Sequence, residues 1–206
     1  CKCFWEFERI MSQLNVDTLG AQTGNDITIA SGKTLKDSSG NAFITSGGLA
    51  EADSWYLTAS STSSADPISA NWARVSQGEM DKLGTGMSVS SGIWTFPSTG
   101  FYYIQFNAVF YSANGGSGGR GTITFETTND NFSSETPVQQ LRVFKDTNGQ
   151  NITGSASTAV IMDVENTSTH KIKFKQTTVG TASLIGAASG TGDSLTNVVF
   201  LKLGDT

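Results

Sequence analysis

The stretch GIWTFPSTGFYYIQFNAVFY, residues 92–111, is a dense aromatic run in a chain where Ser and Thr make up about a quarter of the residues. A strand sends alternate side chains to opposite faces. From Phe101 to Ser112 the even positions are Tyr102, Ile104, Phe106, Ala108 and Phe110, an unbroken apolar row. The odd positions are Phe101, Tyr103, Gln105, Asn107, Val109 and Tyr111, apolar at the ends and amide in the middle. The even row belongs in a sandwich core. The odd row is too aromatic for open water and too polar for a core. A subunit interface fits that mixture, because interfaces favour Tyr and Phe and accept paired amides. The competing reading is an exposed sheet face with scattered aromatics. Upstream, residues 93–96 form a short strand that Pro97 closes, since proline cannot donate to a central ladder. Ser98, Thr99 and Gly100 make the turn between the two strands.

Further strands read outward from this hairpin at 54–60, 71–76, 87–89, 122–128, 138–144, 158–165, 170–177 and 195–203. Ten short strands with frequent Gly-containing turns and no helical periodicity predict an all-β sandwich. In HKIKFKQ, Ile172 and Phe174 face inward, and Lys171, Lys173 and Lys175 read as the wet face of an outer strand. Ile123 and Phe125 point inward in the same way. The terminal NVVFLKL is apolar on both faces.

The remaining chain divides in two. Residues 11–51 carry short alternating pieces separated by Gly turns, with too little apolar surface for an independent core, and read as an extended β-rich stalk or linker. Residues 1–10, CKCFWEFERI, interleave Phe4, Trp5, Phe7 and Ile10 with charges. They read either as a leader foreign to the protein or as an anchor whose aromatic side chains plug into a partner. They lack the long apolar core of a signal peptide. Residues 52–206 form the head.

Composition excludes several functions. A net charge of −5 at a pI near 4.8 argues against a nucleic-acid binder. No apolar run approaches the roughly 20 residues that span a bilayer, so no membrane insertion is expected. Cys1 and Cys3 are the only cysteines, which excludes a disulfide framework for the head. His170 is the single histidine and opens a strand, so it reads as a solvated or capping residue. No catalytic constellation, transition-metal site or cofactor is expected. The DTNGQN turn at 146–151 could hold calcium or simply close a hairpin.

GIWTFPSTGFYYIQFNAVF closely resembles the signature of the C1q/TNF-like jelly roll, a Gly-x-aromatic-Thr-x-Pro hairpin followed by alternating aromatics. WARVSQGEM upstream, STAVIMDVENTSTHKIKFKQ downstream and the closing NVVFLKL are similar to that family's flanking strands. The resemblance implies ten strands in two sheets and a homotrimer packed around an axis through one sheet of each subunit. On that reading the interface takes Phe101, Tyr103, Gln105, Asn107 and Val109 from the long strand and Val199 and Leu201 from the closing strand. The stalk pieces LNVDT, ITIASGKTL and KDSSGN resemble in style the fibre shafts of marine bacterial viruses.

These readings combine into an expectation. The chain is a non-enzymatic, trimeric virion protein, a fibre or decoration on the particle surface. Its N-terminal segment contacts other virion proteins. Its head meets a host-surface glycan through Tyr111, Asn114, Arg120, Asn129, Asp130, Asn131 and Phe132, grouped at one tip. The alternative is a secreted C1q-like lectin or adhesion module of a cellular organism. A fibre-borne depolymerase would need paired acidic residues in a cleft, which the sequence does not announce.

Overall fold

The computed structural model describes residues 49–76, 81–113, 119–144, 151–187 and 195–206. The expected anchor (Phe4, Trp5, Phe7, Ile10), nearly all of the stalk, Asn114 and most of the 146–151 turn lie outside the described residues. The elements that follow all belong to the unit Gly48–Thr206.

The aromatic hairpin forms as its sequence predicts. β4 (Ile93–Thr95) ends before Pro97, and β5 (Gly100–Ser112) runs for 13 residues. Gly100 opens β5 at φ +136°, a conformation that side-chain-bearing residues rarely adopt. The even positions of β5 are sealed: Tyr102, Ile104, Phe106, Ala108 and Phe110 are all within 3 % of full burial.

Two antiparallel sheets enclose that row. In the first, β8 (Ile152–Val164) pairs with β5 along its entire length. The other edge of β5 is shared between β11 (Asn197–Gly204) and the short β10 (Ala182–Leu184). β1 (Ala52–Leu57) and β2 (Trp72–Arg74) continue that sheet beyond β11. The second sheet runs β3 (Ser88–Ser90), β4, β9 (Lys171–Val179), β6 (Arg120–Thr128), β7 (Thr136–Phe144). Eleven strands are present among the described residues, against the expected ten. β10 was not predicted, because three residues between Gly-rich segments carry no periodic signal. No helix occurs among the described residues.

The chain between β1 and β2 crosses from one sheet to the other and back. Ser61 bridges to Leu184 of β10, Ala65 bridges to Gln176 of β9, and Ile68 N–H donates to Phe174 O at 2.8 Å. This crossing closes one side of the sandwich. On the opposite side β7 and β8 each pair with a single strand, so both sheets end there in open edges.

The core is an aromatic cluster centred on Phe174 and Trp94. Phe174 lies 4.8 Å from Phe106, 5.1 Å from Phe125 and 6.1 Å from Trp94, ring centre to ring centre. Trp94 stands edge-on to Trp55 at 5.2 Å and to Trp72 at 5.3 Å. Such inclined pairs add roughly 0.5–1.5 kcal/mol each beyond area burial. Towards one end the two sheets close over glycine. A Cβ at Gly121 would lie 2.2 Å from Phe110 Cδ1, inside any tolerable contact. Gly121→Ala is therefore expected to lose about 1–3 kcal/mol by overpacking, read as a lower urea midpoint at unchanged slope.

Candidate functional site

The odd positions of β5 lie on the outer face of the first sheet, where strand register sets them in rows. Ile161, Tyr103, Leu201 and Ala52 form one row across β8, β5, β11 and β1. Ala159, Gln105, Val199 and Ser54 form the next, then Ser157, Asn107, Asn197 and Tyr56. All seven suspected interface residues share this face. Six are half-buried, and Phe101 is 40 % exposed.

Polar side chains on this face are joined to one another. Tyr103 Oη donates to Gln105 Oε1 at 3.3 Å, Gln105 Nε2 to Asn107 Oδ1 at 3.2 Å, and Asn107 Nδ2 to Asn197 Oδ1 at 2.7 Å. A relay of this kind satisfies the amides within the sheet, so the face can be covered without stranding them. Around the relay lie Val109, Val199, Leu201 and the 65 % exposed Ile161. Sequence reasoning found the β5 and β11 residues of this face. It missed Asn197 as the last acceptor, because a partner 90 residues away becomes visible only with the register.

The suspected ligand loops do not form one tip. Arg120 opens β6, beside Phe144 and Val179, and Tyr111 is the last but one residue of β5. Asn129, Asp130, Asn131 and Phe132 follow the far end of β6, eight residues and about 26 Å away at 3.3 Å per residue. The expectation of a single loop surface is thereby corrected: an antiparallel strand separates the loops at its two ends. The loop after β6 is tightly organised. Asp130 Oδ1 accepts from Thr128 Oγ1 at 2.6 Å and from Ser134 N–H at 3.0 Å, and Asp130 Oδ2 accepts from Ser134 Oγ at 2.6 Å. Hydrogen bonds from Ser134 and Thr128 hold the Asp130 carboxyl down at about 2.

Two of the three lysines of β9 also depart from expectation. Lys171 and Lys173 are buried, not wet. Lys171 Nζ donates to Thr167 O at 2.7 Å and Thr95 Oγ1 at 3.0 Å, and burial pulls its ammonium below the ordinary lysine value. Lys173 Nζ sits 2.5 Å from Glu135, 2.9 Å from Asp66 and 3.2 Å from Glu126. The Glu126 Oε2 contact lacks hydrogen-bond alignment and is Coulombic. Lys175 Nζ adds a 2.6 Å pair with Asp66. Burial pulls Lys173 down, but its contacts with Glu135, Asp66 and Glu126 outweigh that and push it above the usual range. The carboxylate oxygens of Asp66, Glu126 and Glu135 converge within 4.8 Å, a spacing that could hold a metal ion. Lys173 already supplies the positive charge among them. The cluster is an ion-pair knot tying the β1–β2 crossing to β6, β9 and the loop before β7.

Burial raises the Asp66 carboxyl, but hydrogen bonds from Lys175 and Lys173 outweigh it and hold it below 3.8. A depressed folded-state value means stability that is present above the unfolded-state pKa and drains as pH falls through the folded one. Acidification from about pH 5 towards about pH 2 is therefore expected to lower the melting temperature progressively. Asp66→Asn should flatten that slope. An equal slope in the variant would remove Asp66 from the account.

No protein-family model matches the sequence, and no curated protein matches it. Solved structures do match. Eiger TNF from S. frugiperda aligns over 75 % of this chain and 93 % of its own, at 14 % identity and TM-score 0.55. Murine APRIL at pH 5.0 aligns over 74 % of this chain and 98 % of its own, at 12 % identity and TM-score 0.51. The PRD1 vertex protein P5 aligns over 77 % of this chain at 16 % identity with a TM-score of 0.45, below the level that defines a shared fold. At these identities the likeness to Eiger and APRIL establishes the fold: a TNF-like jelly roll.

Proposed function

We propose that the protein is a non-enzymatic homotrimer, a surface appendage of a bacterial virus, whose jelly-roll head attaches the particle to a host-surface glycan. The observation carrying this reading is the outer face of β5 and β11, aromatic and aliphatic around a self-satisfied amide relay. A closed ring of three needs two different, complementary patches on each subunit. The β5–β11 face offers one. The open edge at β7 and β8, where Val138 is 43 % exposed, offers the other. The TNF-like fold supports this arrangement. The virion setting is supported by the fibre-like style of residues 11–51, and the N-terminal aromatics are assigned to contacts with other virion proteins.

The deciding experiment is detection of the chain in purified virions by mass spectrometry and immunogold labelling. Stoichiometric presence with surface labelling is the expected result. A chain absent from particles and secreted by cells would favour a C1q-like adhesion module instead. Saccharide release by the purified protein would contradict the non-enzymatic reading.

A further inference from the structure

One corner of the second sheet carries charge that neither the fold nor the proposed interface uses. Where β7, β6 and β9 meet, register sets Phe144, Arg120 and Val179 side by side on the outer face, with Arg142 in the next row. Phe144 is 65 % exposed and Val179 47 %. Arg142 is exposed and, among the described residues, donates to Gln140 Oε1 at 2.6 Å. Arg120 Nε is buried without an acceptor. Among the described residues no carboxylate pairs with either guanidinium; Arg74, Lys173, Lys175 and Lys202 each have one, and Lys82 and Lys171 donate instead to backbone or hydroxyl oxygens. In a chain of net charge −5, two arginines that have no carboxylate partner among the described residues stand here beside an exposed ring.

We propose that this corner binds the carboxylate of a uronate-bearing polysaccharide. The planar guanidinium fork matches a carboxylate in a bidentate fashion. The exposed Phe144 ring supplies an apolar platform for the C–H face of the adjoining sugar. The proposal rests on the attachment reading above and names its ligand class. The corner lies on the outer sheet, away from the β5–β11 face and at the Phe144 end of β7, six residues and about 20 Å from Val138 at 3.3 Å per residue, so three copies would remain available in a trimer and add avidity.

The test uses the full-length protein in biolayer interferometry against immobilised polygalacturonate, dextran and dextran sulfate. Expected are binding to polygalacturonate, none to dextran, and weakening as salt rises. Arg142→Gln and Phe144→Ala should each weaken binding about tenfold or more, with trimer mass and melting temperature unchanged. Arg120→Gln should do the same, and the exposed pair keeps the test valid if that variant folds poorly. Failure to bind polygalacturonate, equal binding to dextran sulfate, or wild-type binding by Arg142→Gln would each overturn the proposal. Labelling of host cells separates the two readings. Cells labelled equally by wild type and Arg142→Gln would sink the corner and leave attachment standing. Cells labelled by neither would sink both.

Discussion

Phe174→Ala is expected to lose about 3–5 kcal/mol of stability. Total stability for such a domain is typically about 5–15 kcal/mol, so the variant should sit near the edge of folding. Phe174 is 1 % exposed and meets five other rings, from Phe106 at 4.8 Å to Phe200 at 6.5 Å. Its removal leaves a cavity lined by large, rigid side chains on both sheets. Indoles and phenyl rings locked in edge-on contacts cannot collapse into the gap, which places the cost in the upper part of the large-to-small range. Urea unfolding followed by tryptophan fluorescence would read it directly. Phe144→Ala is the control: that ring is 65 % exposed, and its loss should stay within about 0.5 kcal/mol. Comparable losses in the two variants would mean that the aromatic cluster is not the centre of the fold.

Asp53→Ala is expected to cost about 3 kcal/mol, for a different reason. Asp53 is 4 % exposed and accepts four hydrogen bonds. They come from Trp55 Nε1 at 2.8 Å, Arg74 Nε at 2.9 Å, Arg74 Nη2 at 3.1 Å and Met87 N–H at 2.7 Å. Arg74 also stacks over the Trp55 ring at 4.5 Å and donates to Met87 O at 2.7 Å. The carboxylate thus ties β1, β2 and the approach to β3 together. Breaking a buried pair from one side costs about 3–5 kcal/mol because the other charge is stranded. Here the Arg74 side chain keeps 27 % of its exposure, so water takes up part of the loss and the lower figure applies. Hydrogen exchange should show Met87 N–H losing its protection first. A variant with full protection at Met87 and unchanged stability would contradict the clamp.

The aromatic run was legible because a period of two over a long strand leaves no other assignment for Phe106 and its neighbours. Elsewhere the sequence is less explicit. The first half of β8, ITGSAS, alternates only small residues with Ser and Thr after Ile152, too little apolar bulk to mark a strand, and becomes one because all 13 residues of β5 offer it a partner. Lys173 looked solvated because its counter-charges, Asp66, Glu126 and Glu135, are scattered along the chain and meet only after β6 and β9 pair. Asp53 gave no signal for the same reason: its partners lie up to 34 residues away. The outer face of β5 was read from composition, whereas its amide relay needed the register with β11. Local pattern reveals strands and their buried faces. Charge pairing and polar networks depend on strand order, which local pattern does not encode.

The claim on which the rest turns is that the amide-laced face of β5 and β11 is covered by other copies of the chain. Light scattering on the size-separated protein measures this most directly. The account predicts three times the 21.7 kDa chain mass, collapsing to a single chain when Val199→Arg places a charge among the apolar neighbours of the relay. A wild-type mass of 21.7 kDa at micromolar concentration, with Tyr103 and Gln105 bathed in solvent, would contradict it.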